Sequence, residues 1–243
     1  MKVITESDLR SKCLKAGDTI FLNCGDYLTS QAEEFIKNNK LIVLRESDEH
    51  RPMPMGKKPI EGYVSEDKTR TYKEKPEHMT HLKDNILVYK NSARIRYRGM
   101  LDYAQAKTIE TQVLAEEQGL HKVCADLQSV LIMLRKLMSC DVLDTPLDDF
   151  SLLGLGEKEI REISHNPKKH IGIGHSMPDK SDGALCASVN VLRTIIRQTE
   201  LSAMDAYFSE DKIIHEDAIC ALNRLSSAVY IIYCRLTAGF YKD

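Results

Sequence analysis

The chain has no apolar run approaching the roughly 18 residues that a membrane span requires, and its 243 residues are therefore expected to form a protein without a membrane partner. The first residues, Met1 to Asp8, lack the basic start and apolar stretch of a secretory signal. No two of the seven cysteines stand in a C-x-x-C pair, and their number is odd. That excludes a conventional disulfide framework and points to a reducing, cytoplasmic setting. Charge of neither sign dominates: 34 basic residues face 36 acidic ones, for a net charge of −2. A nucleic-acid partner held by bulk electrostatics is thereby excluded. No internal repeat is present.

What remains is ordinary for a soluble globular protein, with 42 % apolar and 29 % charged residues. Residues 1–45 read as a small α/β unit. A short helix begins at Thr5-Glu-Ser-Asp8, a strand covers Thr19–Leu22, a helix opens on the capping-box spacing Ser30-Gln-Ala-Glu33, and a second strand covers Leu41–Leu44. Residues 46–79 are charged and punctuated by Pro52, Pro54, Pro59 and Pro76, which is the composition of a linker or mobile loop. From there, residues 80–243 turn helical. Helices are expected over 98–118, with Met100, Leu101, Ala104, Ile109 and Val113 as its apolar positions, and over 120–141. A short helix at 156–164 follows an irregular loop. A long helix at 184–207 is expected to be capped by Ser181 or Asp182, and a last one at 211–237 to turn Ile213 and Ile214 inward. The fold class expected is mainly α: a bundle of four to five helices with a small N-terminal α/β unit.

The last two helices carry the polar pattern that suggests chemistry. Arg193, Arg197 and Glu200 are spaced by four and then three residues, so they share a helix face. Asn223, Ser226 or Ser227, and Tyr230 make a polar stripe on the next helix. Facing each other, the two stripes would offer guanidinium groups, a carboxylate and an amide to a nucleoside triphosphate. Taken singly, each element has a plainer reading. Arg193 and Arg197 at i,i+4 suit solvated helix charges, Glu200 suits an i+3 partner of Arg197, and Asp102 suits a helix N-cap.

Three ordered blocks nevertheless resemble the corrinoid adenosyltransferases of the ethanolamine-utilization type. They are Leu222-Asn-Arg-Leu-Ser226, the Arg193-x-x-x-Arg197-x-x-Glu200 stripe, and Met79-Thr-His-Leu82 followed by Ala93-Arg-Ile-x-x-Arg98-Gly-x-Leu101-Asp102. The resemblance implies transfer of the 5′-deoxyadenosyl group of ATP to the cobalt of cobalamin, with release of triphosphate, at an ATP site between subunits of a dimer or trimer. It implies Mg²⁺ on the phosphates, a cellular reductant such as a flavoprotein, and a cytoplasmic location with association to a bacterial microcompartment. Cob(I)alamin is itself a strong nucleophile, so the protein would hold C5′ in line, neutralise the leaving triphosphate and exclude water.

Carried over residue by residue, Arg197 would contact the triphosphate, and Glu200 and Asn223 would position ATP. Asp102 would pair with Arg193 in a buried brace beneath the site. Thr80, His81, Lys90 and Arg94 fall in the segment of the family's phosphate loop, with Lys90 the foremost phosphate contact. The family's Gly-rich Thr-x-x-Gly-Asp-x-Gly loop is absent, replaced by Thr80-His-Leu-Lys-Asp-Asn85, and Ser227 stands where an aspartate often follows Asn-Arg-Leu-Ser. The metal-binding cysteine cluster of some members is also missing, since residues 48–78 hold His50 and His78 but no cysteine. No protein-bound metal is expected. The loop histidines His165, His170 and His175 suit a corrinoid-covering loop, a zinc cluster or an ordinary surface loop. The other class of function is a carrier that binds ATP or corrinoid without transfer, or a microcompartment interaction protein.

Overall fold

The computed structural model describes residues 3–10, 19–22, 27–39, 41–45, 62–175, 177–209 and 212–241. Two compact units divide the chain, residues 1–59 and 60–243.

The first unit alternates strands and helices: β1 (Val3–Ile4), α1 (Glu6–Arg10), β2 (Thr19–Leu22), β3 (Tyr27–Leu28), α2 (Ser30–Asn38) and β4 (Ile42–Arg45). β1 pairs with β3 and β2 with β4, both in parallel. Parallel neighbours require a crossover, and α2 sits between the strands it links in sequence. Ile4, Leu9, Ile20, Ala32, Ile36 and Leu41 form its small core. The cap of α2 falls one residue earlier than the capping-box spacing implied. Thr29 is extended (φ −73°, ψ 156°), and its Oγ1 accepts the Ala32 N–H at 3.2 Å.

The second unit opens with a sheet where a linker was expected. β5 (Tyr63–Ser65), β6 (Thr71–Tyr72), β7 (Met79–Lys83) and β8 (Ile86–Tyr89) are arranged in the order β6-β5-β8-β7. Within the expected linker, residues 63–65, 71–72 and 79 are thus strand and those between them turns and irregular chain, while 46–61 lie outside the described residues. Strands of two or three residues leave too little alternation to read. What orders the segment is local: Asp67 accepts from Ser65 Oγ at 2.5 Å, Thr69 Oγ1 at 2.9 Å and Thr69 N–H at 3.1 Å. These bonds hold its carboxyl down at about 2. Thr80–Asn85 lies in the β7–β8 hairpin, with Asp84 left-handed at its turn (φ 49°).

The bundle consists of α3 (Ala93–Glu117), α4 (His121–Leu143), α5 (Glu157–His165), α6 (Pro167–His170), α7 (Gly183–Tyr207) and α8 (Glu216–Thr237), with the short pair β9 (Phe208–Ser209) and β10 (Lys212–Ile213) before α8. Side chains at heptad-like steps face inward from α3: Tyr97, Leu101, Ala104, Thr108, Thr111 and Ala115. Two of these are threonines, not the expected apolar residues. Ile109 and Val113 are 44 % and 52 % exposed instead. The threonine hydroxyls bond the preceding turn, Thr108 to Ala104 O at 2.7 Å and Thr111 to Lys107 O at 2.8 Å, and Thr111 also meets Ser188 of α7 at 2.8 Å. Small, internally satisfied side chains let α3 and α7 approach closely.

Contacts fix the register. Tyr97 meets Tyr207 edge-on at 5.3 Å, and Thr199 Oγ1 donates to Met100 O at 3.3 Å, so α3 and α7 are antiparallel. Tyr233 of α8 donates to Asp182, just before α7, at 2.7 Å. Arg235 of α8 pairs with Asp126 near the start of α4 at 3.0 Å. α3, α7, α8 and α4 therefore run antiparallel around the bundle, and residues 144–182 cross its diagonal to join α4 to α7.

Two further expectations are corrected. Asp182 stands at the N-cap position of α7, as one of the two expected residues, but its side chain makes no cap hydrogen bond: the carboxylate accepts from Asp179 N–H at 2.9 Å and from Tyr233. Ile213 and Ile214 do not face inward. They belong to the segment of β10 before α8, whose first turn is preceded by His215 in the left-handed region (φ 53°), and they are 42 % and 47 % exposed. Among the described residues no helix is long and apolar enough to cross a membrane.

Candidate active site

A cleft of about 320 Å³ opens between α5, α7 and α8. Arg193 and Arg197 of α7 line it, four residues apart on one face. Ser226, Ser227 and Tyr230 line it from α8, Ser164 and His165 from the end of α5, and His175 from the crossing segment. No carboxylate is among the lining residues. Arg193 Nε donates only to Asn190 Oδ1, at 3.2 Å, and Arg197 is exposed with no ion-pair partner among the described residues. Two guanidinium groups facing a space without acids attract an anion with several oxygens.

The rim is organised by aromatic and amide groups. His175 stacks on Tyr230 at 5.9 Å, and its Nδ1 lies 2.8 Å from the phenol oxygen. Burial, with a contact to Cys234, pushes the Tyr230 phenol up to about 12, so it stays protonated at neutral pH. Ser226 and Ser227 both donate back to Asn223 O, at 2.9 and 3.1 Å. One turn below, Asn223 Nδ2 donates to Glu200 Oε1 at 3.0 Å. The two polar stripes read from the sequence are thus joined side chain to side chain.

The other expected residues lie elsewhere. Asp102 is exposed on α3 and forms no ion pair with Arg193. The buried brace is absent within the chain because residue 102 follows the inward-facing Leu101 and is turned away from the core. Asp102→Ala is accordingly expected to leave the melting temperature within about 1 °C of wild type, as for most surface changes. A clear fall measured by calorimetry would restore the buried pair.

Thr80 and His81 lie on β7, Lys90 is exposed after β8, and Arg94 opens α3. Arg94 is committed to structure. Its Nε lies 2.7 Å from the fully buried Asp141 carboxylate, in a charge contact too bent for a hydrogen bond. Its Nη2 donates to Asp141 O at 3.1 Å, and its guanidinium covers the Tyr207 ring at 5.1 Å. Arg197 precedes Tyr207 by ten residues of helix, about 15 Å at 1.5 Å per residue. One chain therefore separates Arg94 from the cleft.

Two features escaped sequence reading. One is the hub at Asp141, whose carboxylate also accepts from Arg98 Nε at 2.5 Å and Tyr207 Oη at 2.8 Å, while Arg98 reaches Leu82 O on β7 at 2.9 Å. An aspartate inside the apolar stripe of α4 was the available signal, since such a group must be paired. The other is the place of α5: the helix was expected at 156–164, but not as a wall of the cleft, to which it contributes Ser164 and His165. His165, His170 and His175 do not converge: His170 Nε2 contacts Glu162 at 3.2 Å and His175 contacts Tyr230. Among the described residues no group of three or more His, Cys, Asp or Glu side chains is placed to hold a metal.

The bundle's cleft gathers two arginines without an ion-pair partner among the described residues, beside a glutamate–asparagine pair, and its sequence matches a known family. The cobalamin adenosyltransferase model covers residues 70–236, and the chain belongs to that family. Among curated proteins, the corrinoid adenosyltransferase EutT of Salmonella typhimurium is 30 % identical over 94 % of this chain and 90 % of its own length. The protein of the same name from Escherichia coli K12 is 29 % identical over the same shares. No solved structure matches.

Proposed function

We propose that the protein transfers the 5′-deoxyadenosyl group of ATP to the cobalt of cob(I)alamin, and that the cleft between α5, α7 and α8 receives the triphosphate. The observation that carries the placement is the pair Arg193 and Arg197, unopposed by any acid lining the cleft. Cobalt supplies the electron pair, the new bond forms to C5′, and the C5′–O bond breaks with its electrons staying on the triphosphate. No general base is needed. The work left to the chain is to fix the nucleotide through Glu200 and Asn223 and to neutralise the leaving group through Arg197 and Arg193. No acid is among the residues that line the cleft, so Mg²⁺ would arrive with ATP and keep phosphate and water as its main ligands.

A homo-oligomer, a dimer or trimer, fits two features. Tyr103, Ile109 and Val113 of α3 and Val191 and Leu201 of α7 are exposed on neighbouring helices. Thr80, His81 and Lys90 stand apart from Arg197 in one chain, and a second chain would bring a copy to the cleft. The reading includes a cellular flavoprotein as reductant and a cytoplasmic place, beside a microcompartment where ethanolamine is used. The β7–β8 hairpin in place of a Gly-rich phosphate loop favours the second reading, a carrier of ATP or corrinoid. An anaerobic absorbance assay with cob(I)alamin, ATP and Mg²⁺ separates the two. Many alkylcobalamin molecules formed per subunit are expected, and a halt at one or none would leave the carrier.

A further inference from the structure

We infer that Arg224 is a positioning residue that fixes the Asn223 amide, and with it the Glu200 carboxylate, in the orientation that meets the nucleotide; this rests on the reading of the cleft as the ATP site. Asn223 and Arg224 are adjacent in sequence yet differ in environment. Asn223 is exposed beside the cleft, whereas Arg224 is only 8 % exposed, packed under α5. A buried guanidinium must find acceptors. Arg224 finds two: Nη1 donates to Asn223 Oδ1 at 2.9 Å, and Nε donates to Glu157 Oε1 at 3.4 Å. The Cys220 thiol donates to the same Glu157 oxygen at 3.2 Å. Together Cys220 and then Arg224 hold the Glu157 carboxyl below its ordinary value, so it is ionised at neutral pH.

An asparagine amide has two orientations of nearly equal shape, and only its partners choose between them. Arginine donates and never accepts, so the atom facing Arg224 is the oxygen. A glutamate carboxylate accepts and does not donate, so the atom facing Glu200 is the nitrogen, at 3.0 Å. Both partners specify the same orientation. One Nδ2 proton is used by Glu200, and the other is left for the nucleotide. Lysine has a single charged centre and lacks the planar fork that reaches Asn223 and Glu157 at once. The chain Glu157–Arg224–Asn223–Glu200 thus runs from α5 through α8 to α7, and ends at a group beside the ligand.

The test measures the Kd of Mg-ATP by titration calorimetry, without corrinoid, for wild type, Arg224→Lys, Asn223→Ala and the double variant. Arg224→Lys keeps the charge and most of the packing, and its melting temperature is recorded alongside. A positioning role predicts about tenfold weaker ATP binding in Arg224→Lys, one charge-assisted hydrogen bond's worth. In the Asn223→Ala background the same change should matter less than about twofold, because the group it orients is gone. ATP binding by Arg224→Lys as tight as wild type, or losses that multiply in the double variant, overturns the inference. An equal loss of cob(II)alamin affinity in Arg224→Lys would also overturn it, by marking general collapse. Wild-type protein that binds no ATP would remove the reading of the cleft itself, and is distinguishable from these because it needs no variant.

Discussion

Asp141→Ala should lower the melting temperature by roughly 6–20 °C, the equivalent of about 3–5 kcal/mol for breaking a buried ion pair in a unit of this size. The Asp141 carboxylate is fully buried and is the shared acceptor for Arg98, Tyr207 and the charge of Arg94. Both arginine side chains are only 16 % exposed. Without the carboxylate, two guanidinium groups and a phenol lose their partner in a place water barely reaches, and each keeps its desolvation cost. The same loss would loosen β7, since Arg98 holds His81 O and Leu82 O, at 3.3 and 2.9 Å. Asp141→Asn keeps the size and one acceptor oxygen and should fall between alanine and wild type. Scanning calorimetry decides the matter. A shift below about 2 °C for alanine would mean the hub contributes under roughly 1 kcal/mol, and the two arginines would then have to find other acceptors.

Arg197→Gln should reduce kcat/KM for ATP about a hundredfold, within the range seen when one donor to a developing oxyanion is removed. Its melting temperature should stay near wild type, because Arg197 is exposed and has no ion-pair partner among the described residues. The loss should appear in kcat as well as KM. Charge builds on the triphosphate as the C5′–O bond breaks, so the guanidinium holds the transition state more tightly than the bound substrate. Initial rates over a range of ATP concentrations at saturating cob(I)alamin measure both. An unchanged kcat with raised KM would limit Arg197 to ground-state binding, and an unchanged ratio would remove it from the site.

Much of the bundle was legible because its helices are long and periodic. α4 carries Val123, Leu127, Val130, Leu134 and Leu137 inward, as its apolar stripe implied. Periodicity misled where polar side chains satisfied themselves. Thr108 and Thr111 occupy the core of α3 by bonding their own preceding turn, which no hydropathy pattern reveals, and Ile109 and Val113 are displaced outward. The sheet of residues 63–89 was illegible because its pairing is non-local: β5 joins β8 across some twenty residues, and β5 and β6, of three and two residues, are too short to alternate. In the site, Arg193, Arg197, Glu200, Asn223 and Tyr230 were legible as helix-face spacings. That Asp102 does not meet Arg193 within the chain was not a matter of spacing at all. It required knowing how α3 is rotated, and the rotation follows from Tyr97, Leu101 and Ala104 filling the core.

The diagonal connection from α4 to α7 also sets the order in which the molecule can assemble. α3 packs on α7 through partners 77 and 99 residues apart, Thr111 with Ser188 and Met100 with Thr199. During synthesis α3 and α4 emerge first and form a hairpin from neighbours in sequence, but the seams meant for α7 and α8 stay open to water. Closing the α3–α7 seam costs the loop entropy of 77 to 99 residues before any contact repays it. A bundle wound in simple sequence order would close helix by helix. This one holds a half-built apolar surface until its last helix arrives, and its hazard on the ribosome is association with another unfinished copy.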